Sequence, residues 1–164
     1  MSSTGTSSVF SISARILDAG CGTGLCGEAL RYHGFSNLSG VDLTQAMLDL
    51  AQRKQVYRQL QTVDLAQPLP FPDAAYDVIC SAGVFSHGPV LPEHMSLFLA
   101  PLVDGGLCVH TIIGLAYEKI PYRKTLEEMD NRGEIELIED KPIPYTVGAG
   151  VPRRLITFRK GLPA

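Results

Sequence analysis

The chain has 164 residues, room for one domain at the usual roughly 100–200 residues per domain. Hydrophobic residues make up 45% and charged residues 19%, enough for a sizeable core and too little charge for a disordered segment. Lys plus Arg number 14 against 17 Asp plus Glu, a net charge of −3 that excludes the concentrated positive field of a nucleic-acid clamp.

Residues 1–13 read as a flexible polar N-terminal tail, and 14–164 as a single domain. Met1 to Ser8 lacks the basic and apolar blocks of a secretory signal. The first strand is placed at Arg15-Ile16-Leu17-Asp18, followed by a glycine-rich loop. A helix from about Leu25 to His33 closes on Gly34, a natural C′ residue. Leu38 to Asp42 forms the second strand. Thr44 then caps a helix to about Lys54, with Leu43 and Leu48 spaced for a hydrophobic staple.

Val56 to Asp64 contains the third strand, and Pro68, Pro70 and Pro72 force an extended loop. Tyr76 to Ser81 is a fourth strand, too continuously apolar for an exposed edge. Pro92 opens a helix whose stripe is Met95, Phe98, Leu99 and Leu102. Gly105-Gly106 turns the chain into a fifth strand, Leu107 to Ile113. Tyr122, Leu126 and Met129 form another helical stripe. Glu134 to Ile138 and Arg154 to Arg159 read as antiparallel strands with no helix between them. The fold class is therefore α/β: a single open, mostly parallel sheet with helices on both faces and an antiparallel element near one edge.

Cys21, Cys26, Cys80 and Cys108 contain no Cys-x-x-Cys pair, and the histidines (His33, His87, His94, His110) are dispersed, so no metal site is expected. No apolar stretch approaches the ~18 residues of a membrane helix. A reducing, cytoplasmic setting is the expectation.

The chemistry is expected in Asp18-Ala19-Gly20-Cys21-Gly22-Thr23-Gly24, where the first strand meets the first helix. Glycine lets the backbone bend sharply and approach a ligand with no Cβ in the way. In an open α/β sheet this end of the strand borders the ligand crevice. A tight turn without a ligand is the competing reading of the loop alone. Two carboxylates on the same rim change the balance. Asp42 can accept from both hydroxyls of a ribose, and Asp64 from the exocyclic amine of an adenine. Leu43, Met47 and Leu65 are candidate walls for the base.

Gly22-Thr23-Gly24-Leu25-Cys26-Gly27 also fits the dinucleotide fingerprint, with Asp42 near the expected distance, which makes an NAD-dependent oxidoreductase the rival. Against it stands Asp18: an acid there would repel a pyrophosphate but favour a ligand bearing an ammonium and a sulfonium.

Ile16 to Gly24 resembles the first motif of class I S-adenosylmethionine-dependent methyltransferases. Gly40-Val41-Asp42 with Gln45-Ala46-Met47-Leu48 is similar to that family's second block, and Asp64-Leu65 to its adenine-side acid. Phe71 to Ile79 is similar to its fourth-strand block, and Gly105-Gly106-Leu107 to its turn into the fifth strand. Gly83 to Gly88 and Pro121 to Glu127 resemble a methyltransferase-like subfamily. The resemblance implies a Rossmann-like methyltransferase fold and S-adenosyl-L-methionine as cofactor. It implies contacts from Asp18, Gly20, Cys21, Gly22, Gly24, Asp42, Leu43, Met47, Asp64, Leu65 and Ser81.

Methyl transfer from a sulfonium asks for alignment and exclusion of water, and for a base only if the acceptor is protonated. Candidate substrate-side residues are Phe85, Ser86, His87, His110 and Tyr117. His87 is the best-placed base, against a reading as a surface-loop histidine with no catalytic role; His110 reads as a satisfied core residue. The loop after the fourth strand lacks the Asn/Asp-Pro-Pro-aromatic sequence of base and amide methyltransferases. A small-molecule substrate is expected, with no nucleic acid and no membrane. The resembled family carries N-terminal lid helices over the cofactor, and the short segment before the first motif leads to the expectation that this domain is without them. The pocket is thus expected to be open on one side or covered by a protein partner. The alternative is a truncated or inactive S-adenosylmethionine-binding scaffold.

Overall fold

A computed structural model describes residues 11–86, 88–143 and 152–162. In chain order it contains β1 (Ile16–Ala19), α1 (Leu25–Tyr32), β2 (Leu38–Asp42), α2 (Gln45–Arg53), β3 (Gln59–Thr62) and β4 (Tyr76–Ala82). A 3₁₀ turn (Val84–Ser86) and a 3₁₀ helix (Pro92–Phe98) lead to β5 (Leu102–Ile113), α3 (Gly114–Lys119) and α4 (Tyr122–Asn131). The antiparallel pair β6 (Ile135–Ile143) and β7 (Arg153–Lys160) completes the set.

The strands form one seven-stranded sheet in the order β3-β2-β1-β4-β5-β7-β6. β1 to β5 pair in parallel, and β7 runs antiparallel to both β5 and β6. The α/β sheet with an antiparallel element at one edge is therefore present. The winding reverses between β1 and β4, so the crevice outside their carboxyl ends is the topological switch point where such sheets bind ligands.

All residues of β1 are buried, as a strand paired on both sides and covered on both faces must be. Arg15 clamps the entry of β1 to β4. Its backbone N–H donates to Asp77 Oδ2 (2.7 Å), and its guanidinium takes both carboxylate oxygens (3.1 and 2.8 Å). These bonds hold the Asp77 carboxyl below its ordinary range.

The main core lies on the face carrying the 3₁₀ helix, α3 and α4. Phe85, Phe98, Tyr122, Phe158, Leu126 and Met129 are buried there. The Tyr122 hydroxyl donates to the Phe85 carbonyl, tying α4 to the segment after β4. On the opposite face, α1 covers Ile16 and Leu38.

Several elements differ from their expected form. Gly105-Gly106 does not precede β5: the strand begins at Leu102, and the glycines sit in an irregularity where the register against β4 shifts between Tyr76 and Val78. Gly105 has φ +72° there, and a Cβ on Gly106 would lie 2.9 Å from the Asp77 carbonyl. The helix after Pro92 is 3₁₀, and Leu102 belongs to β5. β3 is shorter than the Val56–Asp64 run, and β6 extends beyond Ile138. Thr44 occupies the N-cap of α2 without a side-chain cap bond. Asp42 Oδ1 accepts the Thr44 N–H instead (3.0 Å). Leu48 is buried, whereas Leu43 stands 60% exposed rather than stapled beneath the helix. α3 had no sequence signal.

Candidate active site

The loop after β1 is shaped by hydrogen bonds to its neighbour. The N–H groups of Gly20 and Cys21 both donate to the Val41 carbonyl (2.8 Å each), folding the bend over the tip of β2. Gly22 N–H donates to Asp42 Oδ2 (3.0 Å), so the carboxylate at the end of β2 faces the loop. Two glycines differ in what they require. At Gly20, φ is +77° and a Cβ would lie 2.2 Å from Val84 Cγ2, so the bend fits no side chain. At Gly22, φ is +53° and nothing lies within 4 Å, so its bare face looks onto open space.

Two adjoining hollows share Gly20. The larger, about 250 Å³, is lined by Asp42, Leu43, Val63, Asp64 and Leu65 from the tips of β2 and β3, with Val84, Pro89 and Val90 opposite. The smaller, about 210 Å³, is lined by Asp18, Cys21, Gly22, Thr23, Leu25, Cys26 and Ala82. Asp64 Oδ1 accepts the Ala66 N–H (2.9 Å), which fixes that carboxylate at the rim. The two hollows meet at Gly20, with Asp42 and Asp64 lining the larger and the buried Asp18 lining the smaller.

Asp18 is 1% exposed. Its Oδ2 accepts the Tyr57 hydroxyl (2.6 Å), which in turn accepts the Gly27 N–H (3.2 Å). Asp18 Oδ1 is buried without a hydrogen-bond partner. Burial pushes the carboxyl up to about 6, the Tyr57 hydrogen bond opposes that shift, and the charge of Asp42 adds to it. A cation nearby would relieve the strain of keeping it ionised. Tyr57 reaches this position because two glycines leave room. A Cβ on Gly27 would lie 2.3 Å from its hydroxyl oxygen, and one on Gly40 3.1 Å from its ring. Sequence reasoning missed Tyr57 entirely: it lies outside the loop, and its only signal was the pair of small residues opposite it.

The candidate cofactor residues divide. Gly20, Asp42, Leu43, Asp64 and Leu65 line the larger hollow, and Asp18, Cys21 and Gly22 the smaller. Gly24 is the buried N-cap of α1 at φ +88°, behind the lining. Met47 lies on the surface of α2, 41% exposed and outside the walls of both hollows. Ser81 is also outside them, because its hydroxyl is paired with His110 Nδ1 (2.7 Å) in the core. Burial raises the Cys21 thiol to about 12, with Asp18 and Asp42 adding to the shift, so it carries no charge near neutrality.

The substrate-side candidates fare differently. Phe85 is core, and the Ser86 hydroxyl accepts the Ile113 N–H (2.9 Å). His110 is buried among Phe85, Phe98 and Phe158, with Nε2 unpartnered, and burial holds its imidazole down to about 3. Tyr117 donates to Asp140 and lies beneath the Arg154 guanidinium, 4.5 Å from its ring centre. These four build structure; none lines the two hollows. His87 lies outside the described residues. Among the described residues, no helix is long and apolar enough to cross a membrane.

Comparison with known proteins places this architecture. A methyltransferase-domain family matches residues 16–106, more than half of the chain and all of the cleft just described. Human methyltransferase-like protein 27 is 34% identical over 162 residues, covering 92% of this chain. The chain spans 64% of that relative's length. Among solved structures, an S-adenosylmethionine-dependent methyltransferase from Mesorhizobium loti superposes with a TM-score of 0.72 at 16% identity, covering 90% of this chain and 91% of that one. The [4+2]-cyclase SpnF superposes equally well (TM-score 0.72, 16% identity, covering 92% and 76%). The chain belongs to the class I S-adenosylmethionine-dependent methyltransferase family.

Proposed function

We propose that this chain binds S-adenosyl-L-methionine along the cleft and transfers its methyl group to a small-molecule acceptor. The observation carrying this reading is the convergence of the bare Gly22 face, Asp42 and Asp64 on one apolar-walled cleft at the switch point. The residues fit the cofactor. Asp42 keeps acceptor capacity beyond its bonds to Gly22 and Thr44 and would hold the ribose hydroxyls. Asp64 would take the adenine amine between Leu43 and Leu65. Gly22 admits the ligand against the backbone, and Asp18 supplies negative field at the end where a cation is wanted.

When bound, the cofactor supplies an electrophilic methyl group on a sulfonium. The chain's own contribution is to orient the ligand and keep water from it, for which the apolar wall of Val84, Pro89 and Val90 is suited. The net charge of −3 also favours a small-molecule acceptor over DNA or RNA.

A second reading, ligand binding without methyl transfer, draws on SpnF, a cyclase by name that shares the fold. The oxidoreductase reading is weakened at Gly27, whose side-chain-free face is filled by Tyr57 rather than open to a pyrophosphate. Calorimetric titration tests the proposal. Saturable binding of S-adenosylmethionine, with affinity falling roughly tenfold or more in Gly22→Ala and Asp42→Ala, is expected. Unchanged affinity in both variants would overturn the assignment, and tighter binding of NAD would install the oxidoreductase.

A further inference from the structure

Outside the hydrogen-bonded loop, the fold assembles a cluster that no sequence spacing announces. Asp18 and Cys80 are register partners on adjacent parallel strands, so their side chains leave the same face of the sheet. Cys26, in the first turn of α1, comes down onto that face. The Cys26 and Cys80 sulfurs are 3.9 Å apart, and a carboxylate oxygen of Asp18 lies within 4.8 Å of both. We propose that Asp18, Cys26 and Cys80 form a binding site for a single zinc-class metal ion beneath the glycine loop.

Three features carry the proposal. First, tetrahedral zinc with metal–sulfur bonds of about 2.3 Å separates two thiolate sulfurs by about 3.8 Å. The observed 3.9 Å matches that edge and is far longer than a disulfide. Second, Asp18 is 1% exposed and has a buried oxygen with no hydrogen-bond partner, an acceptor left free for an ion. Third, its other oxygen is held by Tyr57, which is itself held by the Gly27 N–H. That is the outer hydrogen bonding that orients a ligating carboxylate. Two sulfurs and one oxygen are a donor set for a borderline-soft ion rather than for magnesium or calcium. Three protein ligands leave a fourth position, and the smaller hollow lined by Asp18 and Cys26 gives water access to it. Binding exchanges two thiol protons, released to solvent, for one dication, so the net charge of the cluster with Asp18 ionised is unchanged. The ion joins β1, β4 and α1, and it shares Asp18 and the smaller hollow with the proposed cofactor cleft.

Cobalt(II) titration of the reduced, metal-free protein is the test, with zinc displacing the bound cobalt. The expected result is a one-to-one thiolate-to-cobalt charge-transfer band with a tetrahedral ligand-field pattern. Cys26→Ser and Cys80→Ser should abolish it, Asp18→Asn should weaken binding at least tenfold, and Cys108→Ala should leave it intact. In the unmodified protein, zinc should slow alkylation of Cys26 by iodoacetamide at least tenfold. It should also raise Tm by roughly 5–10 °C at a hundredfold excess over Kd; neither readout needs the buried thiol to tolerate substitution. Absence of a saturable band together with unprotected alkylation would overturn the site. So would a band that survives Cys26→Ser, or peroxide converting the pair to a disulfide in a protein that binds no metal. Titrating S-adenosylmethionine in the same preparations keeps failure of this site separate from failure of the cofactor assignment.

Discussion

Gly20 and Gly22 sit two residues apart in one loop, both at positive φ, yet predict opposite outcomes on substitution. Gly20→Ala drives a methyl into Val84, so it should destabilise the fold by several kcal/mol, read as a lowered urea midpoint. Gly22→Ala meets open space and costs about 1 kcal/mol of backbone strain, so it should fold while losing ligand affinity. If both variants fold equally well, the contact with Val84 is not what restricts Gly20. His110 makes a prediction about pH. Its imidazole titrates near 6.5 when unfolded and near 3 when buried, so between these values the unfolded chain binds a proton that the native state refuses. Its contribution is fully present above about pH 6.5 and falls as pH drops towards 3, by at most about 1.4 kcal/mol per pH unit. Urea midpoints from pH 7 to 5 should fall more steeply in the parent than in His110→Gln, and equal slopes would acquit the imidazole. At this scale the sequence led to a glycine loop, Asp42 and Asp64 that the fold brings to one rim of the sheet, because glycines and carboxylates at strand ends leave a chemical signature. It did not reveal that Ser81 is engaged by His110 or that Met47 faces solvent, since neither a buried partner nor the azimuth of one helix residue is written in local spacing.

At the level of elements, apolar runs together with glycine and capping signals located β1, α1, β2 and α2 within a residue or two, and an apolar stripe marked α4. The failures share a cause. Gly105-Gly106 looks like a turn by composition, but pairing with β4 on both sides of it continues the strand around an irregularity that glycine permits. The 3₁₀ helix after Pro92 keeps Met95 and Phe98 buried while tightening its hydrogen bonding. A hydroxyl ties α4 to the segment after β4. Tyr122→Phe preserves the ring's burial but leaves the Phe85 carbonyl without this donor, and should cost about 1–3 kcal/mol of stability in urea unfolding. An unchanged midpoint would mean that aromatic packing alone holds the segment after β4.

Across the whole molecule, ligand binding should register as global stability, since the cleft joins the tips of β1, β2 and β3 to the segment after β4. A hundredfold excess of S-adenosylmethionine over its Kd should raise Tm by roughly 5–10 °C in the parent. The same ligand concentration should give about half that shift in Gly22→Ala at a tenfold weaker affinity, because the stabilisation follows the logarithm of ligand concentration over Kd. A large shift with NAD and none with the methyl donor would reassign the cleft. The two walls of the larger hollow also have separate origins in the chain. One is set by strand ends whose geometry the sheet dictates, and the other by Val84, Pro89 and Val90 in a connecting segment. Descendants of this scaffold are therefore free to rewrite the second wall, acquiring new clientele while inheriting the first intact. Swapping residues 83–91 between relatives is the graft that would show whether recognition travels with that segment.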